Sequence, residues 1–198
     1  MSFSLKLAAL AICTSLIGLG ANADPAAEMV GTELLAEAMT ARDLATSEIL
    51  NTRYLSIIDY RAPSRVPRFY LVDLTDMSAT AHLVAHGKGS DPDHDGMADR
   101  FSNVEGSKMT SLGAFTTGQT YYGAHGLSLK LNGLDPENDQ AKPRRIVIHG
   151  ADYVSSERRV LGRSWGCPAL ENGAAQRIIP LIKDGSFLYV VGAPGDAG

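Results

Sequence analysis

The chain has 198 residues, 44% of them hydrophobic and 20% charged, and a net charge of −4 at neutral pH. That length can bury one real core. The mildly acidic balance lacks the basic face that nucleic acid needs and the polybasic stretch that would hold a protein on an anionic membrane.

The first residues read as an export signal. Lys6 supplies a positive start, and the apolar run Leu7 to Gly20 is too short to span a bilayer as a helix. Ala21-Asn22-Ala23 has the small-x-small pattern of a cleavage site, which would leave Asp24 as the mature N-terminus. A lipoprotein site at Cys13 is disfavoured, because bulky Ile12 precedes it and the apolar run continues past it. The expected organisation is a signal peptide over 1–23 and a single domain over 24–198, exported to the periplasm or cell wall and with no membrane anchor after cleavage. Cleavage leaves 175 residues, a charge near −5 and one cysteine, Cys167, so no internal disulfide can form. An unpaired thiol in an exported protein is either buried and inert or retained because it reacts.

Residues 32–50 carry Leu34, Leu35, Ala38, Met39 and Leu44 at helical spacing, with Thr32 as the expected N-cap and Glu33 in the first turn. From Tyr54 onward the character changes. YLSIIDY, RFYLVDLT and ATAHLVA are short, rich in β-branched and aromatic residues, and separated by Pro63, Pro67 and polar turns. GAFTTGQTYYG, LSLKL, RIVIHG and SFLYVVG continue the pattern. Residues 172–183 read as a helix with Asn172 as its cap, shortened or kinked by Pro180, and with Gly185 just past its end. Two polar stretches, about 87–111 and 132–144, are long enough to be functional loops. The expected fold is mainly β with a few helices, its β-rich core spanning about 54–193.

RIVIHG places His149 at the end of a buried-looking strand, and Cys167 follows eighteen positions later in RSWGCPAL. Gly166 allows close backbone approach and Pro168 stiffens the exit, which suits a thiol on a tight turn. Histidine is the side chain best matched to activating a thiol near neutral pH. These residues resemble the murein L,D-transpeptidase catalytic-domain family, in which a strand-end His-Gly precedes a Ser/Thr-His-Gly-Cys turn at about this spacing. The matching residues are His149-Gly150 and Ser164-Trp165-Gly166-Cys167, with Trp165 where the usual motif has a second histidine. LVAHGKGS, RFSNVEGS, SLGAFTTGQTYYGAHG and HGADYV are also similar to a divergent Ser-Trp-Gly-Cys branch of that family, so the resemblance covers most of 54–193.

The resemblance implies an L,D-transpeptidase-like β-sandwich or barrel. It implies a Cys167 nucleophile attacking the amide between meso-diaminopimelate and D-alanine in a peptidoglycan stem tetrapeptide, with His149 moving the proton. The backbone N–H groups of Trp165, Gly166 and Cys167 would hold the oxyanion, supported by Ser164 and Gly150. An amine of a second stem would resolve the thioester into a 3–3 cross-link, and neither metal nor other cofactor is implied. Hydrolysis of the same bond, or a non-catalytic wall- or calcium-binding protein, are the alternatives.

Other residues carry weaker signals. His86 and His125 both precede glycine near strand ends, and the latter, with Tyr121 and Tyr122, falls where the family's cleft is lined. A satisfied histidine or an alternating β-face explains each equally well. Arg163 is either on a solvated face or a partner for a substrate carboxylate. Asp91-Pro-Asp-His-Asp-Gly resembles the start of a calcium loop, but Ser102 stands at the twelfth position, where a bidentate glutamate is needed.

Overall fold

The computed structural model describes residues 24–193; the expected export signal lies outside the described residues. It contains helices α1 (Pro25–Val30), α2 (Thr32–Leu44) and α3 (Asn172–Ile182), and nine strands. The strands are β1 (Asn51–Asp59), β2 (Phe69–Asp73), β3 (Ser78–His82), β4 (Val84–Ala85), β5 (Gly113–Gly123), β6 (Gly126–Gly133), β7 (Val147–Gly150), β8 (Ala169–Leu170) and β9 (Ser186–Val191).

All nine join one sheet in the order β3-β2-β1-β9-β5-β6-β7-β8-β4. The two ends of that order, β3 and β4, are separated in the chain by Leu83 alone. A sheet whose first and last strands are held one residue apart has to curl back on itself. Its inner face packs on α3: Ala174, Ala175, Ile178, Ile179 and Ile182 join Ile58, Phe69, Phe115, Leu129, Leu131, Ile148 and Leu188 in one core. A second core forms on the other face, where α1 and α2 place Ala26, Val30, Leu34, Leu35 and Ala38 against Leu55, Ile57, Val72 and Phe187. The run Leu55 to Ile58 is therefore buried on both sides of β1, Ser56 included, so its apolar residues do not alternate.

The helix expected over 32–50 is shorter than expected, and an unexpected helix, α1, precedes it. Gly31, at φ 93°, breaks α1 from α2 and takes the N-cap position expected for Thr32. The helix ends at Leu44, a single 3₁₀ turn follows over Thr46–Glu48, and the strand expected from Tyr54 begins at Asn51. In α3 the cap is Glu171; Asn172 instead donates to Asp152 at 2.6 Å. The helix runs through Pro180 and ends two residues after it. The stretch 87–111 forms no helix or strand and lies between β4 and β5. No helix among the described residues is long and apolar enough to cross a membrane.

Candidate active site

The short parallel pair of β7 and β8 brings the two predicted reacting groups together. His149 is in register with Ala169, two residues after Cys167, and its N–H donates to the Pro168 carbonyl at 3.4 Å. His149 and Cys167 line one cleft of about 350 Å³ with His125, Tyr153, Arg163, Ser164 and Trp165.

The His149 ring is 2% exposed as a residue, and its Nδ1 lies 2.9 Å from the Gly150 carbonyl oxygen. A carbonyl can only accept, so Nδ1 carries the proton and Nε2 holds the free lone pair. Burial lowers the His149 pKa below 6.5; the Gly150 bond opposes this and His125 adds to it. At neutral pH the imidazole is therefore uncharged and able to accept a proton. The ring of His125 stacks on it, with centroids 4.2 Å apart and planes at 24°. His125 reaches it from the tight connection between β5 and β6, where Gly123 faces Gly126; Ser128, just beyond, is in register with His149.

Cys167 is partly buried, and its thiol lies 3.8 Å from the Arg145 carbonyl. Burial raises the thiol pKa above 9.0, while the Val147 N–H and the Arg144 charge pull it back. Thiol and imidazole are thus both neutral at rest, and proton transfer belongs to the reaction rather than to the resting state.

The turn that carries Cys167 is fixed by its backbone. Gly166 has φ 122°, and a side chain there would meet the Met109 carbonyl at 2.8 Å, so glycine is required. Ser164 is clamped by the segment after β4: its N–H donates to the His86 carbonyl at 2.9 Å, and its carbonyl accepts from Lys88 N–H at 2.8 Å. The Ser164 hydroxyl donates to the Cys167 carbonyl at 2.6 Å and accepts the Gly166 N–H at 3.0 Å. That bond changes the expected oxyanion site. The Gly166 N–H is already occupied, whereas those of Trp165 and Cys167 have no partner among the described residues.

Two of the weaker sequence signals fall outside the cleft. His86 is 1% exposed and sits behind the turn, where Arg68 Nη2 donates to its Nδ1 at 2.7 Å and its Nε2 donates to Asp91 at 3.1 Å. Burial first, then the neighbouring Arg68 charge, lowers its pKa to about 4. It is a core histidine. Tyr122 is 84% exposed at the end of β5 and does not line the cleft either. Arg163 does line it, but its guanidinium donates to the Asp91 carbonyl and lies 4.0 Å from the Asp91 carboxylate. Trp165 is 70% exposed, with the Lys108 and Lys88 ammonium groups 5.0 and 5.7 Å from its ring centroid.

Asp91, Asp93 and Asp95 converge, their nearest oxygens within 4.8 Å of one another. However, the Asp91 oxygens already accept from His86 and from the N–H groups of Asp95 and Gly96. The loop is held by these bonds, and Asp91 serves as a structural anchor. Sequence reading missed Tyr153, whose phenol burial pushes up to about 12, and the contribution of Arg144 and Arg145. The Arg144 guanidinium ties Ser102, Ser111 and Met109 into one loop beside the thiol.

A family model described as the L,D-transpeptidase catalytic domain matches residues 26–191. No curated protein matches the chain. Among solved structures, an L,D-transpeptidase from Mycobacterium smegmatis aligns at 12% identity and a TM-score of 0.46, over 71% of this chain and 59% of its own. L,D-transpeptidase 3 from Mycobacterium tuberculosis, in complex with a faropenem-derived adduct, aligns at 10% identity and 0.46, over 70% and 60%. An L,D-transpeptidase from Xylanimonas cellulosilytica aligns at 14% and 0.43, over 78% and 69%. The chain thus spans about three fifths of the first two.

Proposed function

Because the chain belongs to the L,D-transpeptidase catalytic-domain family, we propose that it is an exported cysteine acyltransferase acting on peptidoglycan, with Cys167 as nucleophile and His149 as its base. The observation that carries this reading is the free Nε2 of a neutral His149 in the same cleft as the only thiol among the described residues.

In the first half-reaction the Cys167 sulfur forms a bond to the carbonyl carbon of the stem peptide's L,D-amide. His149 Nε2 takes the thiol proton and returns it to the departing amine as the C–N bond breaks and D-alanine leaves. The Gly150 carbonyl steadies the imidazolium formed between the two transfers, since it accepts from Nδ1 throughout. The N–H groups of Trp165 and Cys167 face the developing oxyanion. Loss of one such donor costs on the order of 10²–10³-fold in rate. In the second half-reaction a side-chain amine of another stem attacks the thioester, forming a C–N bond and breaking the C–S bond. The sulfur then regains its proton through His149.

A carbapenem should add covalently to the wild-type protein and leave Cys167→Ala unmodified, as read by intact mass. With purified tetrapeptide muropeptides, transfer yields cross-linked dimers and hydrolysis yields tripeptides. A wild-type protein that gains no adduct and converts no muropeptide refutes the assignment.

A further inference from the structure

A second cleft, of about 440 Å³, opens on the sheet face that carries His149. It is lined by Tyr121, Lys130, Asn132, Lys142, Arg145 and Val147, with Leu131 and Ile146 at its floor. The register fixes the shared face. Tyr121 is in register with Ser128, Ser128 with His149, and Lys130 with Val147. Val147 and His149 are two residues apart on β7, as are Ser128 and Lys130 on β6, so their side chains point the same way. Arg145 links this cleft to the other, since its carbonyl lies 3.8 Å from the Cys167 thiol. Arg145 is held at φ 56°, a left-handed conformation that residues with a Cβ rarely adopt.

The charge of this cleft runs against that of the whole protein. The chain carries −4, yet three cationic side chains gather here and no acidic residue lines the walls. Among the described residues, none of the three forms an ion pair. Lys130 instead lies 5.8 Å from the Tyr121 ring centroid. Unpaired cations over an apolar floor form a receptor for an anion on a partly apolar chain.

We propose that this cleft binds the free carboxylates of the stem peptide, anchoring it beside Cys167 through Lys130, Lys142 and Arg145. The inference rests on the transpeptidase reading, which supplies an acidic peptide as substrate. The aromatic cleft of His125, Tyr153 and Trp165 then receives the portion of substrate on the other side of the reacting carbonyl.

The test uses a fluorescently labelled stem tetrapeptide in two forms, with side-chain and α-carboxylates free or amidated, titrated onto Cys167→Ala by anisotropy. The free acid should bind roughly tenfold tighter than the amide, as for two or three half-exposed charge pairs, and added salt should erode that difference. In Cys167→Ala carrying Lys130→Gln and Lys142→Gln, the preference should fall to within about twofold, with the melting temperature unchanged. Equal binding of both peptides, or a preference that survives the two substitutions, overturns the inference while wild-type acylation and turnover leave the function standing. A wild type that neither acylates nor turns over removes both.

Discussion

His125 and His86 are both followed by glycine, and the fold gives them opposite roles. One projects from a strand connection onto the His149 ring; the other is enclosed behind the Cys167 turn by Arg68 and Asp91. The first has a kinetic consequence. In the proposed mechanism His149 must be unprotonated to accept the thiol proton, and burial together with His125 holds its pKa below 6.5. Activity should therefore persist to a lower pH than an ordinary histidine would allow. In His125→Ala both the covering ring and its charge are lost, so the acid limb of the carbapenem acylation profile should move to higher pH. His125→Phe keeps the covering ring and should move it less. Identical acid limbs in all three proteins would refute this role. The pairing of His149 with Cys167 was legible in the sequence because both lie in adjacent, strongly marked segments. The Arg145 carbonyl was not, since any residue supplies a carbonyl and only its conformation directs it at the thiol.

At the scale of elements, the segment after β4 holds the Cys167 turn as firmly as the strands do. Gly87 bridges to Ser164, and a methyl group added to it would sit 2.3 Å from the Lys108 carbonyl and 2.8 Å from the Gly166 Cα. Gly87→Ala should push the turn out of line, and a misplacement of about 1 Å costs on the order of 10²-fold in rate. Acylation by a carbapenem at the wild-type rate would refute the clamp. Most strands were legible from composition: GAFTTGQTYYG is β5 without a residue's difference, whereas ATAHLVA, read as one strand, is broken at Leu83 into β3 and β4, and the two-residue β8 went unread. The N-terminal helix was read too long because helical periodicity runs past Leu44, and α1 was missed because it has only six residues and the φ of 93° at Gly31 that separates it from α2 has no periodic signature. The long polar stretch 87–111 was marked from its length alone; its bracing of Gly166 depends on Met109 and Thr110 arriving from a distance in sequence.

For the molecule as a whole, the buried His86–Asp91 pair couples stability to pH. The His86 pKa of about 4 lies below the unfolded 6.5, so on acidification the unfolded chain takes up the proton first. Its contribution is full above pH 6.5 and is lost as pH falls toward 4, about 3 kcal/mol in all. Asp91, which burial pushes up but the His86 bond brings below 3.8, acts in the same direction at still lower pH. Denaturant unfolding between pH 7 and pH 4 should show this decline in the wild type and a shallower one in His86→Gln. Equal slopes would assign the acid sensitivity elsewhere.

The near meeting of β3 and β4 across Leu83 has a consequence for behaviour in a crowded compartment. An open sheet offers two rows of unpaired backbone groups on which strands of other molecules can template. Here one terminal strand, β4, has two residues, and the other, β3, is contacted by α1. Intermolecular strand addition therefore has little purchase on this protein, and self-association leading to aggregates would require the sheet to open first.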